Sequence, residues 1–328
     1  MTSNKEKIFA YIEENEQSSV VELDRVLDIE RVMIHRHLKA LLEEGRIEKI
    51  GKSPKVFYIV KKGISGKILS FDKDSMSQEE QESIQDNFLF ITPSGERQKG
   101  IEGFVRWCRD RHYDAYKKAI EYSAIYQKYE SFRKYGLIDG MEKFRQTFGK
   151  DCAVDSVYYV DVYAWEVFGK TKLGQLLLYA KQSQNKDMIR EIVSMIRPLI
   201  DRLLEKHAVS AIGYIPPTIK RSVQFIEELK KELNLSYPEI RLEKISGEVA
   251  VPQKSLSQLK DRIENAQSSI FVTEKKKYET ILLIDDAVGS GATFQEVALK
   301  IKKRSLAKKV ICFAVTGSAK GFDVISEV

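Results

Sequence analysis

The stretch that most restricts how this 328-residue chain can fold lies near its end: Ile281-Leu282-Leu283-Ile284-Asp285-Asp286-Ala287-Val288-Gly289-Ser290-Gly291-Ala292-Thr293. Four consecutive apolar residues without polar alternation read as a strand covered on both faces, the pattern of a parallel sheet. Two carboxylates stand at its C-terminal end and a Gly/Ser/Thr loop follows. Phe294, Val297, Ala298 and Ile301 then recur at helical spacing. In open α/β sheets ligands bind beyond the carboxyl ends of the strands, where this loop falls. Gly289 and Gly291 let the backbone bend and approach a bound group. The loop N–H groups and the helix start favour an anion, and Ser290 and Thr293 add hydroxyl donors. Two adjacent aspartates repel each other unless hydroxyl donors, a magnesium ion or a basic residue compensates them.

Those residue types suit a phosphorylated ribose. No GxxxxGK[ST] pattern occurs, and the third glycine of a dinucleotide fingerprint is replaced by Phe294. The segment resembles the phosphoribosyl pyrophosphate (PRPP) signature of type I phosphoribosyltransferases. The resemblance implies that Asp285 and Asp286 hold the ribose 2′- and 3′-hydroxyls, and that Ala287, Val288, Gly289, Ser290, Gly291, Ala292 and Thr293 cradle the 5′-phosphate. Position 289 departs from the commoner form, which has Thr there. Gly169–Lys181, Ala211–Phe225 and Pro252–Val272 are similar to ComF-type members, so the likeness covers most of Tyr159–Val328. It implies a pyrophosphate-contacting loop with Pro216, Pro217, Thr218, Lys220 and Arg221. It also implies a mobile loop near Lys254–Arg262, where Lys254, Lys260 or Arg262 neutralises pyrophosphate. Mg2+ is expected on the pyrophosphate of PRPP, with no metal ligands supplied by the protein.

The first sixty residues have a different pattern. Ile8, Phe9 and Ile12 share a helical face. A second helix, capped by Ser18 or Ser19, carries Val21, Leu23, Val26 and Leu27. A third runs from about Glu30 to Glu44 with Val32, Met33, Leu38, Leu41 and Leu42 inward, stopped by Gly45. Two extended runs, Arg46–Ile50 and Val56–Val60, form a hairpin around Gly51–Lys55. From Val20 through Gly51 the chain resembles winged-helix transcriptional regulators. From Arg31 to Lys62, nine basic residues (Arg31, Arg36, Lys39, Arg46, Lys49, Lys52, Lys55, Lys61 and Lys62) face three acidic ones, a balance suited to double-stranded DNA. Arg31, His35, Arg36 and Lys39 on the third helix, with Lys52 and Lys55 at the hairpin tip, are the candidate DNA contacts. The competing reading of this module is protein interaction.

Between these ends, Lys73–Gln85 reads as a polar linker or exposed helix start. Residues from about Ile101 to Tyr135 have helical spacing, with an aromatic stripe that belongs in a core or a dimer interface. Asp139–Phe148 forms a further helix. Cys108, Cys152 and Cys312 are odd in number, far apart and without CxxC spacing, which argues against zinc and disulfide frameworks. No signal peptide or membrane span is legible, so a cytoplasmic protein is expected.

The expected architecture is α/β: a winged helix over residues 1–63, a helical connector over 64–150, and a doubly wound, mainly parallel, type I phosphoribosyltransferase-like domain over 151–328. Its strands are expected at 208–215, 239–245, 270–273, 281–284 and 309–315, with helices at 218–233 and 293–303. Two functions fit. The first is a homodimeric DNA-binding regulator that senses PRPP or a ribose 5-phosphate nucleotide. The second is an active phosphoribosyltransferase targeted by its winged helix. There Asp285 and Asp286 become the catalytic candidates, and positioning and charge stabilisation carry pyrophosphate displacement through an oxocarbenium-like state. The sequence does not name the base or the DNA site.

Overall fold

The computed structural model describes residues 4–15, 17–44, 46–52, 55–60, 75–92, 94–111, 113–165, 167–217, 221–245 and 259–318. They belong to two units, Met1–Phe71 and Asp72–Val328. The first unit contains α1 (Asn4–Glu14), β1 (Gln17–Ser18), α2 (Val20–Val26), α3 (Arg31–Glu43), β2 (Ile47–Lys52) and β3 (Lys55–Val60). Ser19 starts α2 through a capping box: its hydroxyl accepts from Glu22 N–H, and the Glu22 carboxylate accepts from Ser19 N–H. The strands pair antiparallel in the order β1-β3-β2, with Lys52 opposite Lys55.

The core of this unit holds Ile8, Ile12, Leu23, Ile34, Leu38, Leu41 and Ile47. In α3 the inward stripe is Ile34, Leu38 and Leu41, at i, i+4 and i+7. Val32, expected inside, falls on the opposite side and is 76% exposed. Val21 and Val26 are likewise exposed, because Leu23 with the partly buried Val20 and Leu27 forms the inner face of α2. Arg46, counted with the basic face, instead donates to both carboxylate oxygens of Glu6 (2.6 and 2.9 Å). Its guanidinium also lies over the Phe9 ring, 4.0 Å from the centroid. Gly45, Lys61 and Lys62 lie outside the described residues.

The second unit opens with α4 (Gln78–Asn87), started by a Ser77–Glu80 capping box, then the hairpin β4 (Leu89–Ile91) and β5 (Arg97–Lys99). The single helical stretch expected from 101 to 135 is two helices, α5 (Gly100–Asp110) and α6 (Ala115–Glu130). Asp114 breaks it, its side chain accepting from Tyr116 and Lys117 N–H at the start of α6. A tight hairpin follows, β6 (Arg133–Lys134) and β7 (Leu137–Asp139), turning through Tyr135 and Gly136 at φ +56° and +80°. After α7 (Met141–Phe148) come β8 (Ser156–Val162) and the short hairpin β9 (Ala164–Trp165) and β10 (Gly169–Lys170). Then come α8 (Lys172–Ser183), α9 (Lys186–Lys206), β11 (Ala211–Tyr214) and α10 (Phe225–Leu233). The remaining elements are β12 (Leu242–Lys244), α11 (Leu259–Ser269), β13 (Ile270–Val272), β14 (Tyr278–Val288), α12 (Ala292–Lys303) and β15 (Ala307–Gly317).

The main sheet has the order β11-β14-β15-β8-β7-β6; the first four strands are parallel and the last two antiparallel. Residues 281–284 of β14 and 310–315 of β15 are buried without alternation, as a sheet covered on both faces requires. Leu282, Ile284, Ile311, Phe313 and Val315 join the core formed with α8, α9 and α10. The expected strands at 239–245 and 270–273 leave this sheet. Glu239 makes one isolated bridge to Ile212, while β12 and β13 pair antiparallel as a separate ribbon. Both are short; β12 carries Glu243 and Lys244, and β13 alternates buried Ile270 and Val272 with exposed Phe271, so neither is covered on both faces as a central strand is.

The boundary expected near residue 150 does not divide the packing. Strands β6 and β7 extend the main sheet, and the aromatic stripe closes on residues beyond that boundary. Phe104, Trp107 and Tyr122 pack with Phe88 and with Phe168, at centroid distances of 5.1–6.3 Å. Of the face expected as a dimer interface, Phe104 and Cys108 belong to the unit's own core, Val105, Tyr116, Ile125, Tyr126 and Tyr129 are half-buried, and Tyr113 and Ile120 are exposed. Phe104→Ala should cost about 3–5 kcal/mol in denaturant unfolding, as for a fully buried ring. Ile120→Ala on the exposed side should stay within about 0.5 kcal/mol; equal costs would contradict this division.

Candidate functional site

Strand β14 continues through Asp285, Asp286 and Ala287 to Val288, still paired with β15 as far as Gly317. The carboxylates thus project from a continuous strand rather than from the loop after it. They open into a cavity of about 280 Å3, lined by every residue from Asp285 to Thr293. Pro216, Pro217 and Arg221 from the loop after β11 share it, as do Lys244 of β12 and Arg262 of α11. The apolar part of its wall includes Tyr163, Leu177, Leu178 and Phe225.

The acidic pair is compensated from within the protein. Lys181, in the last turn of α8, donates from Nζ to Asp286 Oδ2 at 2.6 Å. Burial pulls the Lys181 pKa down, but Asp286 and then Asp285 more than offset it, and the net shift is upward. Burial first, and the Asp286 charge second, hold Asp285 well above the usual carboxylate range. The N–H of Asp286, donating to Asp285 Oδ1 at 2.8 Å, with Lys181 and Lys244, acts in the opposite sense. Lys244 is pushed down by burial, partly countered by Asp285. Among the described residues, four basic side chains line the cavity against two carboxylates, an excess that favours an anionic occupant.

The loop after β11 is fastened to the end of α8. Arg221 Nη1 donates to the Lys181 carbonyl, and Val223 N–H donates to Gln184 Oε1 at 2.7 Å. On the other side, α12 begins at Gly291, whose φ of +77° is left-handed and whose added Cβ would lie 2.6 Å from the Phe144 ring. The first N–H to close the helix is that of Gln295, donating to the Gly291 carbonyl, so Ala292, Thr293 and Phe294 precede the hydrogen-bonded turn. Ser290 Oγ accepts a long bond of 3.4 Å from Ala292 N–H. An anion placed here would meet backbone donors and the positive end of the helix dipole, a contribution of about 0.3–2 kcal/mol before hydrogen bonds.

Of the predicted contacts, Asp285–Thr293, Pro216, Pro217, Arg221 and Arg262 are brought together. Thr218, Lys220 and Lys254 lie outside the described residues. Lys260 is exposed and 3.8 Å from Glu264, one turn along α11, and does not line the cavity. Lys181 and Lys244 have no role that the sequence pattern alone reveals. The need for a base beside the Asp pair is the only signal, and it does not say which one. In the first unit, Arg31, His35, Arg36 and Lys39 are all exposed on α3. Lys52 and Lys55 end their strands opposite one another.

Magnesium is implied only as a companion of PRPP. No three His, Cys, Asp or Glu side chains group as metal ligands among the described residues. An ion that takes most of its shell from phosphates and water needs no such group. Cys108 and Cys312 are buried, and burial pushes the Cys108 thiol up to about 12. Among the described residues, no helix is long and apolar enough to cross a membrane.

No family model matches the sequence, and no curated protein does. Solved structures with partial likeness include a hypoxanthine phosphoribosyltransferase from Staphylococcus aureus, at TM-score 0.26 and 13% identity, over 42% of this chain and 70% of that one. The adenine phosphoribosyltransferase of Leishmania tarentolae gives 0.25 and 12%, over 48% and 79%. That of Trypanosoma brucei, in complex with AMP, pyrophosphate and ribose-5-phosphate, gives 0.24 and 13%, over 49% and 73%.

The two loop glycines separate experimentally. Gly291→Ala meets both a left-handed backbone and the Phe144 ring, and should cost about 1–3 kcal/mol in thermal or denaturant unfolding. At Gly289 an added Cβ would meet only Arg262 Nη1, at 3.6 Å, so Gly289→Ala should leave folding stability within about 0.5 kcal/mol. Equal losses at the two positions would contradict the geometry.

Proposed function

We propose that residues 75–318 bind PRPP or a ribose 5-phosphate nucleotide, with Asp285 and Asp286 accepting from the ribose hydroxyls and Ala287–Thr293 holding the 5′-phosphate. One observation carries the reading: the Asp pair, the loop and the start of α12 converge on one cavity with an excess of positive charge. Ribose offers two adjacent hydroxyl donors for two adjacent acceptors, and a phosphate offers the anion that suits the loop donors. Pro217, Thr218, Lys220, Arg221 and Lys254 are assigned to the pyrophosphate side. Mg2+, when bound, would screen the pyrophosphate charge, and the protein residues would orient the sugar.

The first unit supports a second assignment, to double-stranded DNA through a winged helix. Arg31, Arg36 and Lys39 put exposed cations, and His35 an exposed polar ring, on one helix of a unit whose hairpin strands end at Lys52 and Lys55, where a groove and backbone would meet them. Together these make the protein a DNA-binding regulator that responds to a ribose-phosphate signal, acting as a cytoplasmic homodimer. The apolar cavity wall formed by Leu177, Leu178 and Phe225 favours a further reading, phosphoribosyl transfer to a nucleobase, since it provides a surface for a planar ring. Turnover of PRPP with any nucleobase by purified protein decides between sensor and enzyme.

Two measurements test these assignments. Asp285→Asn should weaken ribose 5-phosphate binding by about 1.5–3 kcal/mol in isothermal titration, because a charge-assisted bond is removed. Asp285 titrates above its unfolded value, so ionising it costs folding free energy as pH rises through that window. The same variant should therefore melt higher than wild type at neutral pH, while wild-type ligand affinity increases with pH as the carboxylate forms. Unchanged affinity in Asp285→Asn removes the ribose assignment. For DNA, log affinity should fall linearly with log salt. Neutralising Lys52 and Lys55 should flatten the slope by about 1 for each phosphate left without its cation, and Arg36→Ala should alter sequence preference. Failure of the full chain to retard any duplex at low salt would make the unit a protein-interaction module.

A further inference from the structure

We infer that Arg262 is the side chain that recognises the ligand's terminal phosphate monoester, an assignment that rests on the ribose-phosphate reading of the cavity. The observation behind it is a glycine that the fold does not require. Gly289 lacks the left-handed φ of Gly291, and the nearest group to an added Cβ would be Arg262 Nη1, at 3.6 Å. The loop therefore has a bare position facing a guanidinium. A side chain there would begin in van der Waals contact with that guanidinium.

Arg262 is only 4% exposed, yet it lines the cavity. A phosphate dianion at the start of α12 would offer its guanidinium further acceptors and a matching charge. Burial also lowers the Arg262 pKa, in keeping with a cation drawn out of water. The support beneath it is fixed. Lys300 of α12 donates to the Gln267 carbonyl at 2.7 Å and to the Ile270 carbonyl, which ties the end of α11 to the helix whose N-terminus meets the loop.

The other cavity cations have separate tasks. Lys181 is paired with Asp286, Lys244 faces Asp285, and Arg221 is directed to the carbonyl of Lys181 beside the loop after β11. Arg262 is the cation adjacent to Gly289. The geometry thus divides the anionic ligand between two arginines: Arg262 takes the sugar-linked monophosphate, and Arg221 stands on the side of the other phosphates.

The test is isothermal titration of the full chain with ribose 5-phosphate and, separately, with magnesium pyrophosphate. Arg262→Gln should weaken ribose 5-phosphate about 10- to 100-fold, the effect expected for a charge-assisted bond, and change pyrophosphate by less than about threefold. Arg262→Lys, which keeps the charge but not the fork, should recover part of the ribose 5-phosphate affinity. The assignment is overturned if pyrophosphate is the ligand that weakens, if neither changes, or if both weaken equally in Arg262→Lys at an unchanged melting temperature. Wild-type protein that binds pyrophosphate but not ribose 5-phosphate overturns the ribose-phosphate reading itself, and this assignment with it.

Discussion

The arrangement of the second unit turns on one electrostatic problem: two adjacent carboxylates at the buried end of a central strand. Asp285 is costly to ionise there, because burial and the neighbouring Asp286 charge both oppose it. The protein answers with a lysine for each. Lys181 makes a 2.6 Å contact with Asp286, and Lys244 faces Asp285 from the β12–β13 ribbon. The compensation is incomplete at Asp285, whose proton affinity remains well above that of an ordinary carboxylate. This residual cost suits a site that is completed by hydroxyl donors from a ligand rather than by the protein alone.

Much of the surrounding structure follows from placing those lysines. The end of α8 must reach β14, and the loop after β11 is fastened to the same helix end through Arg221 and Val223. The ribbon of β12 and β13 leaves the main sheet, and this departure is what brings Lys244 to the cavity. On the far side, the left-handed Gly291 against Phe144 fixes where α12 starts, and so where its N-terminal donors point.

The parts of this arrangement legible in the sequence are those written in contiguous residues. The apolar run at 281–284, the Asp pair and the Gly loop specify strand, acceptors and helix start within one short segment. Leu38 and Leu41 likewise mark the inner face of α3, and Ser19, one of two cap candidates, marks the start of α2. What is not legible depends on partners distant in the chain. Lys181 and Asp286 are 105 residues apart, and nothing in the pattern of α8 distinguishes Lys181 from a solvated lysine. Arg46 reads as part of a basic face until Glu6 and Phe9 are placed beside it. The apolar and aromatic stripe from Phe104 to Tyr129 has the spacing of any buried face. Only Trp165 and Phe168, which lie beyond the expected boundary, show that it closes within the same unit.

A crystal structure with PRPP and magnesium would show directly whether the Asp pair and the glycine loop hold a ribose phosphate. The expected result has the ribose hydroxyls within hydrogen-bond distance of Asp285 and Asp286, and the 5′-phosphate against the N–H groups of residues 289–293. PRPP bound elsewhere, or bound with its pyrophosphate rather than its 5′-phosphate in that loop, would contradict the account.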